Sequence, residues 1–207
     1  MTDDLTFYTH PMSRGRIVRW MLEEIAQPYK TEILDYATTL QSPEYRAINP
    51  MGKVPGLRHG TTIITETPAI CAYLADAYPE SNLAPPPTSR DRGPYYRWLF
   101  FAAGPLEAAI TNQALNVTVP PEKQRMAGYG TLAKTLDTIE QTLTQSPHLA
   151  GTHFTAADLY LAAHLAFGMQ FGMIEKRPAF ETYATRHTTR PAAIRAREID
   201  DALLAPQ

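Results

Sequence analysis

Three short segments hold the residues of this 207-residue chain best suited to chemistry. The first is Tyr8-Thr9-His10-Pro11-Met12-Ser13-Arg14-Gly15-Arg16, rich in hydroxyls and cations, where a strand pattern gives way to a helical one. A helix N-terminus presents N–H groups without intrahelical partners and a partial positive charge, so it stabilises an anion. The Ser13 hydroxyl there either adds a hydrogen bond to such an anion or caps the helix. The second segment is Asn49-Pro50-Met51-Gly52-Lys53-Val54-Pro55-Gly56-Leu57, with a proline just inside an apolar strand. Pro55 is either an ordinary edge-strand proline or a cis proline in a tight turn. A backbone turned outward at that point would leave the N–H and C=O of Val54 to pair with a peptide-like ligand, as an added strand does. The third is Thr65-Glu66-Thr67-Pro68-Ala69-Ile70, where a helix start brings a carboxylate for an ammonium and N–H groups for a carboxylate. Capping is again the alternative. Together the three describe a site for a small zwitterionic peptide.

The elements that must position these segments alternate over the first eighty residues. Residues 5–8 read as a strand and 14–25 as a helix, with Ile17, Met21, Ile25 and Val18, Leu22 at three- and four-residue spacing. Pro28 stops that helix, residues 29–34 alternate as a second strand, and Ser42-Pro43-Glu44 marks a helix start. Strands over 54–58 and 61–65 flank a His59-Gly60 turn, and a helix over 66–78 follows. The order β-α-β-α-β-β-α, with two helical crossovers and one hairpin, predicts a mixed sheet. Pro85-Pro86-Pro87 cannot join a helix and marks a stiff boundary. Beyond it the pattern is helical over 90–116, 121–145, 155–170, 178–187 and 191–204. The expected domains are therefore 1–80 (α/β) and 90–207 (all-α), with a proline-rich linker over 81–89. Thr155-Ala156-Ala157-Asp158 is a capping box at the start of one late helix, with Phe154 and Leu159 as its staple.

Composition excludes several classes. The single Cys71 rules out a disulfide scaffold, a CxxC pair and a multi-cysteine zinc site, and it reads as a small buried hydrophobe. Net charge is −2, with 8 basic and 10 acidic residues up to position 90 and 11 of each after it, so neither nucleic acid nor an anionic membrane is an expected partner. The acidic start Met1-Thr2-Asp3-Asp4 is unlike a signal peptide, which gives a cytoplasmic expectation. The six histidines show no metal-ligand spacing, so no metal is expected. Gly128-Tyr129-Gly130-Thr131-Leu132-Ala133 matches a dinucleotide fingerprint, but the preceding residues read as helix where that motif needs a strand.

The segments FYTHPMSRGRIVRWMLEE, INPMGKVPGL, ITETPAICAYLAD and FTAADLYLAAHLAFG resemble, in order and spacing, the signatures of the cytosolic glutathione transferase family. The resemblance implies a thioredoxin-like first domain, an all-helical second domain and a homodimer. It implies glutathione as co-substrate, with Val54 before Pro55 pairing to the peptide backbone. Glu66 and Thr67 then hold the γ-glutamyl end, and Lys53 and Gln41 the glycyl carboxylate. For activation of the thiol it offers Ser13 first, then the Ser13–Arg14 amides, then Tyr8, with Thr9 and His10 as further possibilities. The turn contains no cysteine, which argues against the members that form a mixed disulfide with glutathione. Small hydrophobic electrophiles are the implied second substrates, with Met12, Phe101 and Gly104 lining their pocket. The alternative is a non-catalytic carrier or regulator of the same fold. A glutathione-using isomerase lacks support, because the Ser-Ser-Cys turn of those members is missing.

Overall fold

The computed structural model describes residues 4–204. Residues 1–3, part of the acidic start noted above, lie outside the described residues, as do 205–207. The described residues form two compact units, one of residues 4–81 with 190–204 and the other of residues 82–189.

The first unit contains β1 (Leu5–Thr9), α1 (Gly15–Ile25), β2 (Tyr29–Ile33), the single-turn α2 (Pro43–Arg46), β3 (Gly56–His59), β4 (Thr62–Thr65) and α3 (Thr67–Ala77). Its sheet runs β2-β1-β3-β4, with β1 parallel to β2 and antiparallel to β3, and β3 antiparallel to β4. This is the expected mixed, thioredoxin-like sheet: the α1 crossover gives the parallel β1–β2 pair, the connection through α2 brings β3 antiparallel to β1, and the hairpin gives the antiparallel β3–β4 pair. Central β1 is buried along its whole length. The apolar stripe Ile17, Val18, Met21, Leu22 and Ile25 of α1 is buried as its spacing requires. Gly15 has no substitute at the start of α1, because a Cβ there would lie 1.9 Å from Thr9 Oγ1. Ser42 caps α2 by accepting the Tyr45 N–H at 3.3 Å, with Pro43 in its first turn. β3 begins two residues later than the pattern suggests, after a cis Val54–Pro55 bond.

A further helix, the last described, belongs to this unit and not to the expected all-helical stretch 90–207. It is Pro191–Ala202, labelled α9 by its place in the chain. Ala192, Ala193 and Ala196 are buried, small enough for the helix to sit close against α1. Ion pairs join the two: Arg19 Nε to Asp200 at 2.7 Å, Arg16 to Asp201 at 2.7 Å and Arg195 to Glu23 at 3.2 Å. Arg190, just before α9, meets Glu24 at 2.6 Å. Both Arg19 and Asp200 are buried, and Arg19 also donates to Tyr29 Oη and Thr31 Oγ1 and lies 5.2 Å from the Phe7 ring centre. Helical periodicity says that 191–202 is a helix; it does not say which surface those charges will meet.

The second unit is helical: α4 (Arg92–Phe101), α5 (Glu107–Ala114), α6 (Leu132–Gln145), α7 (Ala156–Gln170) and α8 (Pro178–Thr188). A π-helical turn over Ala102–Leu106 joins α4 to α5, so the expected helix over 90–116 is one rod with a widened turn at Gly104 and Pro105. Proline lacks the N–H that the tighter register needs. The expected helix over 121–145 is corrected. Pro121–Lys123 is a 3-10 turn, Gly130 has φ +66°, and α6 starts at Leu132 under a Thr131 cap. The dinucleotide-like motif thus follows turns, not the helix expected before it, and still not a strand. The proline-rich stretch is packed within this unit: Leu83 C=O accepts from the Ala156 amide at 2.8 Å, and Arg92 Nε donates to Pro85 C=O at 2.5 Å. The Thr155 capping box is present and extended. Asp158 accepts four hydrogen bonds, from the Thr155 amide and hydroxyl, the Leu149 amide and the Tyr183 hydroxyl.

Candidate functional site

Sheet register brings the three chemical segments together. Tyr8 pairs with Gly56, and Gly56 pairs with Thr65. The end of β1, the start of β3 and the end of β4 therefore lie side by side at one end of the sheet. The turn at 10–14, the loop at 49–55 and the α3 start at Glu66 all emerge there. With neighbouring strands ~4.8 Å apart, the row spans about 10 Å. That is the length of an extended tripeptide.

In the first turn the backbone carbonyls are held one by one. Ser13 Oγ donates to His10 C=O at 2.6 Å and accepts the Gly15 N–H at 2.9 Å. Arg16 Nε donates to Pro11 C=O at 2.6 Å, and Tyr36 Oη to Met12 C=O at 3.2 Å. His10 Nδ1 accepts the Met12 N–H at 3.1 Å, and its ring lies 4.4 Å from that of Tyr36. The turn is preorganised with its carbonyls tied, beside the positive end of α1. The Ser13 hydroxyl proton is committed to His10, so serving a ligand anion requires that bond to break. Arg14 stands at the N-cap of α1 and is half-buried. Thr9 is fully buried, its hydroxyl 3.4 Å from His10 C=O.

The loop at 49–55 is braced from below. Tyr45 Oη and Asn49 Nδ2 both donate to Lys53 C=O at 2.7 Å, which leaves the Lys53 side chain exposed above. Burial pushes the Tyr45 hydroxyl up to about 12, so it stays a donor. Gln41 Nε2 donates to Gly52 C=O at 3.2 Å, and Gln41 Oε1 accepts from Arg46 at 2.6 Å. Gly52 has φ +57°, and a Cβ there would come within 3.0 Å of the Gln41 amide. Gln41 and Lys53 are thus brought to one loop, with Arg46 beside them.

Glu66 carries the clearest backbone signal. Its φ of +68° and ψ of +117° place a non-glycine residue in a region that side chains avoid. Such outliers persist where the surroundings over-determine them and cluster at functional sites. The Glu66 side chain is exposed at the start of α3, and Thr67 beside it is buried.

The remaining expected residues are placed as follows. Tyr8 is buried, its ring 5.7 Å from that of Tyr45, in a cluster with Leu40 against which Val54 packs. Met12 is 70% exposed next to Ser13. Phe101 packs its ring 5.2 Å from Trp98 in the second unit, and the space a Cβ would take at Gly104 is open. Cys71 is fully buried in α3, and burial pushes its thiol up to about 12, so it is inert. Sequence reasoning missed Tyr36, Tyr45 and Arg46, and it named Arg16 and Asn49 within their segments without their bracing roles. An Asn-Pro turn signal was available for Asn49, which accepts the Met51 N–H at 3.1 Å. No local signal links Tyr36 to Met12. His148, Asp158 and His187 lie close enough for a shared cation. Asp158, however, already accepts four hydrogen bonds, which fill the lone-pair sites of a carboxylate.

Comparison with known proteins fixes the class. The family model for the glutathione S-transferase N-terminal domain matches residues 7–82, and that for the glutathione S-transferase C-terminal domain matches residues 90–167. The chain belongs to the glutathione S-transferase family. It is 31% identical over 164 residues to glutathione S-transferase GstA of Escherichia coli O157:H7, covering 78% of each chain. It is 34% identical over 174 residues to glutathione S-transferase F10 of Arabidopsis thaliana, covering 79% of each. Among solved structures, a glutathione transferase from Methylococcus capsulatus superposes with a TM-score of 0.80 at 28% identity, over 96% of this chain and 99% of that one. A sphingomonad glutathione S-transferase complexed with glutathione superposes at 0.77 with 27% identity, over 95% and 98%. Among the described residues, no helix is long and apolar enough to cross a membrane.

Proposed function

We propose that this glutathione transferase binds glutathione along the sheet end defined by Tyr8, Gly56 and Thr65, and activates its thiol at the 10–14 turn. The row of three segments in register carries the reading. Val54 pairs with the peptide backbone of the ligand, Glu66 takes the γ-glutamyl ammonium, and Thr67 with the α3 start takes its carboxylate. Lys53 and Gln41 face the glycyl carboxylate. The non-catalytic carrier reading is not favoured, since the relatives named above are transferases.

The chemistry asked of the turn is modest. A free thiol with pKa ~8.5 is only about 3% ionised at pH 7. A drop of ~2 units, equal to ~2.7 kcal/mol, makes it about three-quarters thiolate. The positive end of α1 supplies part of that, with Ser13 Oγ turning from His10 C=O to the sulfur, or with the Ser13–Arg14 amides acting alone. The tied hydroxyl favours a large share for the amides. Tyr8 ranks third because its ring is packed in the core. The thiolate then attacks an electrophilic carbon and the leaving group departs with the bonding electrons. Exposed Met12, beside the turn, contacts a small hydrophobic electrophile. A cytoplasmic homodimer is the working form; Phe100, 72% exposed on α4, belongs to the face that would meet a second copy.

Titrating the protein with glutathione while following thiolate absorbance near neutral pH, then offering aryl and alkyl electrophiles, tests the reading. A thiolate signal with turnover supports it. Glutathione binding without a thiolate signal overturns the activation step.

A further inference from the structure

We propose that Arg16 is a positioning residue for the thiol-activating turn and that Asp201 of α9 holds it in place. The proposal rests on the transferase reading above. Of the carbonyls in the turn, those of Ser13 and Arg14 are held by the backbone amides of Arg16 and Ile17, at 3.3 and 3.0 Å. His10 C=O is held from within by Ser13, and Met12 C=O by Tyr36. Pro11 C=O depends on a charged donor, Arg16 Nε at 2.6 Å. The same guanidinium reaches Asp201 Oδ1 through Nη2 at 2.7 Å, across 185 residues of sequence. A planar fork with Nε on one partner and Nη2 on the other fixes the head group in both direction and rotation. Lysine, a single ammonium on a flexible stem, does not reproduce that fork.

The neighbouring buried pair Arg19–Asp200 sets where α9 lies, and so where Asp201 presents its carboxylate. Arg16 and Asp201 are themselves well exposed, with 34% and 57% of their side-chain surface open. An ion pair that open adds little to stability. Its structural consequence is to orient Pro11 and, through it, the Met12–Arg14 peptide planes. Stabilisation of an anion by preorganised amides depends steeply on where they point. The expected signature is therefore a change in thiol ionisation and turnover with the fold and the glutathione contacts kept.

The test compares Arg16→Gln, Arg16→Lys, Asp201→Asn and Asp201→Glu with a control, Arg195→Gln, which removes another α1–α9 ion pair remote from the turn. The readouts are thiolate absorbance of bound glutathione against pH, kcat, and KM for glutathione. Both Arg16 variants are expected to raise the bound-thiol pKa by about half to one unit and lower kcat about three- to tenfold, with KM within about twofold. Asp201→Asn shifts the same way by less, Asp201→Glu restores the wild-type profile, and Arg195→Gln leaves it in place. An unmoved pH profile in Arg16→Gln overturns the proposal, as does an equal shift in Arg195→Gln, which would assign the effect to docking of α9 in general. A wild-type enzyme that binds glutathione without a thiolate signal fails the activation reading itself, and the proposal falls with it. The wild-type titration, run first, separates the two failures.

Discussion

Ser13 shows how much a single hydroxyl is asked to do. Its proton lies on His10 C=O and its lone pair receives the Gly15 N–H, so it braces the turn before any ligand arrives. Ser13→Ala is expected to raise the pKa of bound thiol by up to about one unit and to lower kcat, with KM for glutathione less affected. A pH–rate profile that does not move would assign activation to the amides alone. Glu66 makes the complementary case. It sits at a positive φ that costs an L-residue of order 1–3 kcal/mol, a conformation that the proposed hold on the γ-glutamyl ammonium would explain. Glu66→Gly should therefore raise the melting temperature by relieving that conformation, while KM for glutathione rises about tenfold or more through loss of the carboxylate. A variant that melts lower would show that the conformation is not strained. The residue types at Ser13, Lys53, Val54, Pro55, Glu66 and Thr67 were legible as chemistry in the sequence. The bracing of the turn by Tyr36 and the hold of Asp201 on Arg16 were not, because side-chain bonds across 24 and 185 residues leave no trace in local spacing.

Helices and strands were easier to read than their partners. The buried stripe of α1, the β3–β4 hairpin and the capping box at Thr155 follow from period, turn residues and cap chemistry. The stretch 121–131 misled because charged residues there fit a helical face, while Gly130 at φ +66° and Thr131 end any such run. The capping box turns out to do more than cap. Asp158 is fully buried and accepts four hydrogen bonds, two of them from Leu149 and Tyr183 outside its own turn. Asp158→Ala leaves those donors without a partner and should lower stability by about 2–4 kcal/mol with glutathione affinity largely kept, read by chemical denaturation and a glutathione titration. A melting temperature equal to that of the wild type would sink the assignment. Asp200→Ala on α9 strands the buried Arg19 guanidinium and is expected to cost about 3–5 kcal/mol, more than removing any of the exposed α1–α9 pairs.

For the molecule as a whole, the buried thiol and phenols set the alkaline limit. Cys71 is raised from 9.0 to about 12, and Tyr29 and Tyr45 from 10.0 to about 12, each chiefly by burial. Groups raised on folding keep their protons in the native state while the unfolded chain loses them. Stability is therefore undiminished below pH 9, declines as Cys71 begins to titrate in the unfolded chain, and falls more steeply above pH 10 as the tyrosines join. The Cys71 share is about 1 kcal/mol by pH 10. Urea unfolding at pH 8 and pH 10 should show that loss, and Cys71→Ala should remove it from this interval. The division into two units has a consequence in time. A ribosome making this chain completes residues 82–189, a continuous helical unit, before it has made residues 190–204 of the first unit. The sheet and the thiol turn emerge early, yet Asp200 and Asp201, the partners of Arg19 and Arg16, are among the last described residues synthesised. During translation the Arg16 and Arg19 guanidinium groups of α1 must wait for their carboxylates, so this early-emerging helix is among the last parts completed.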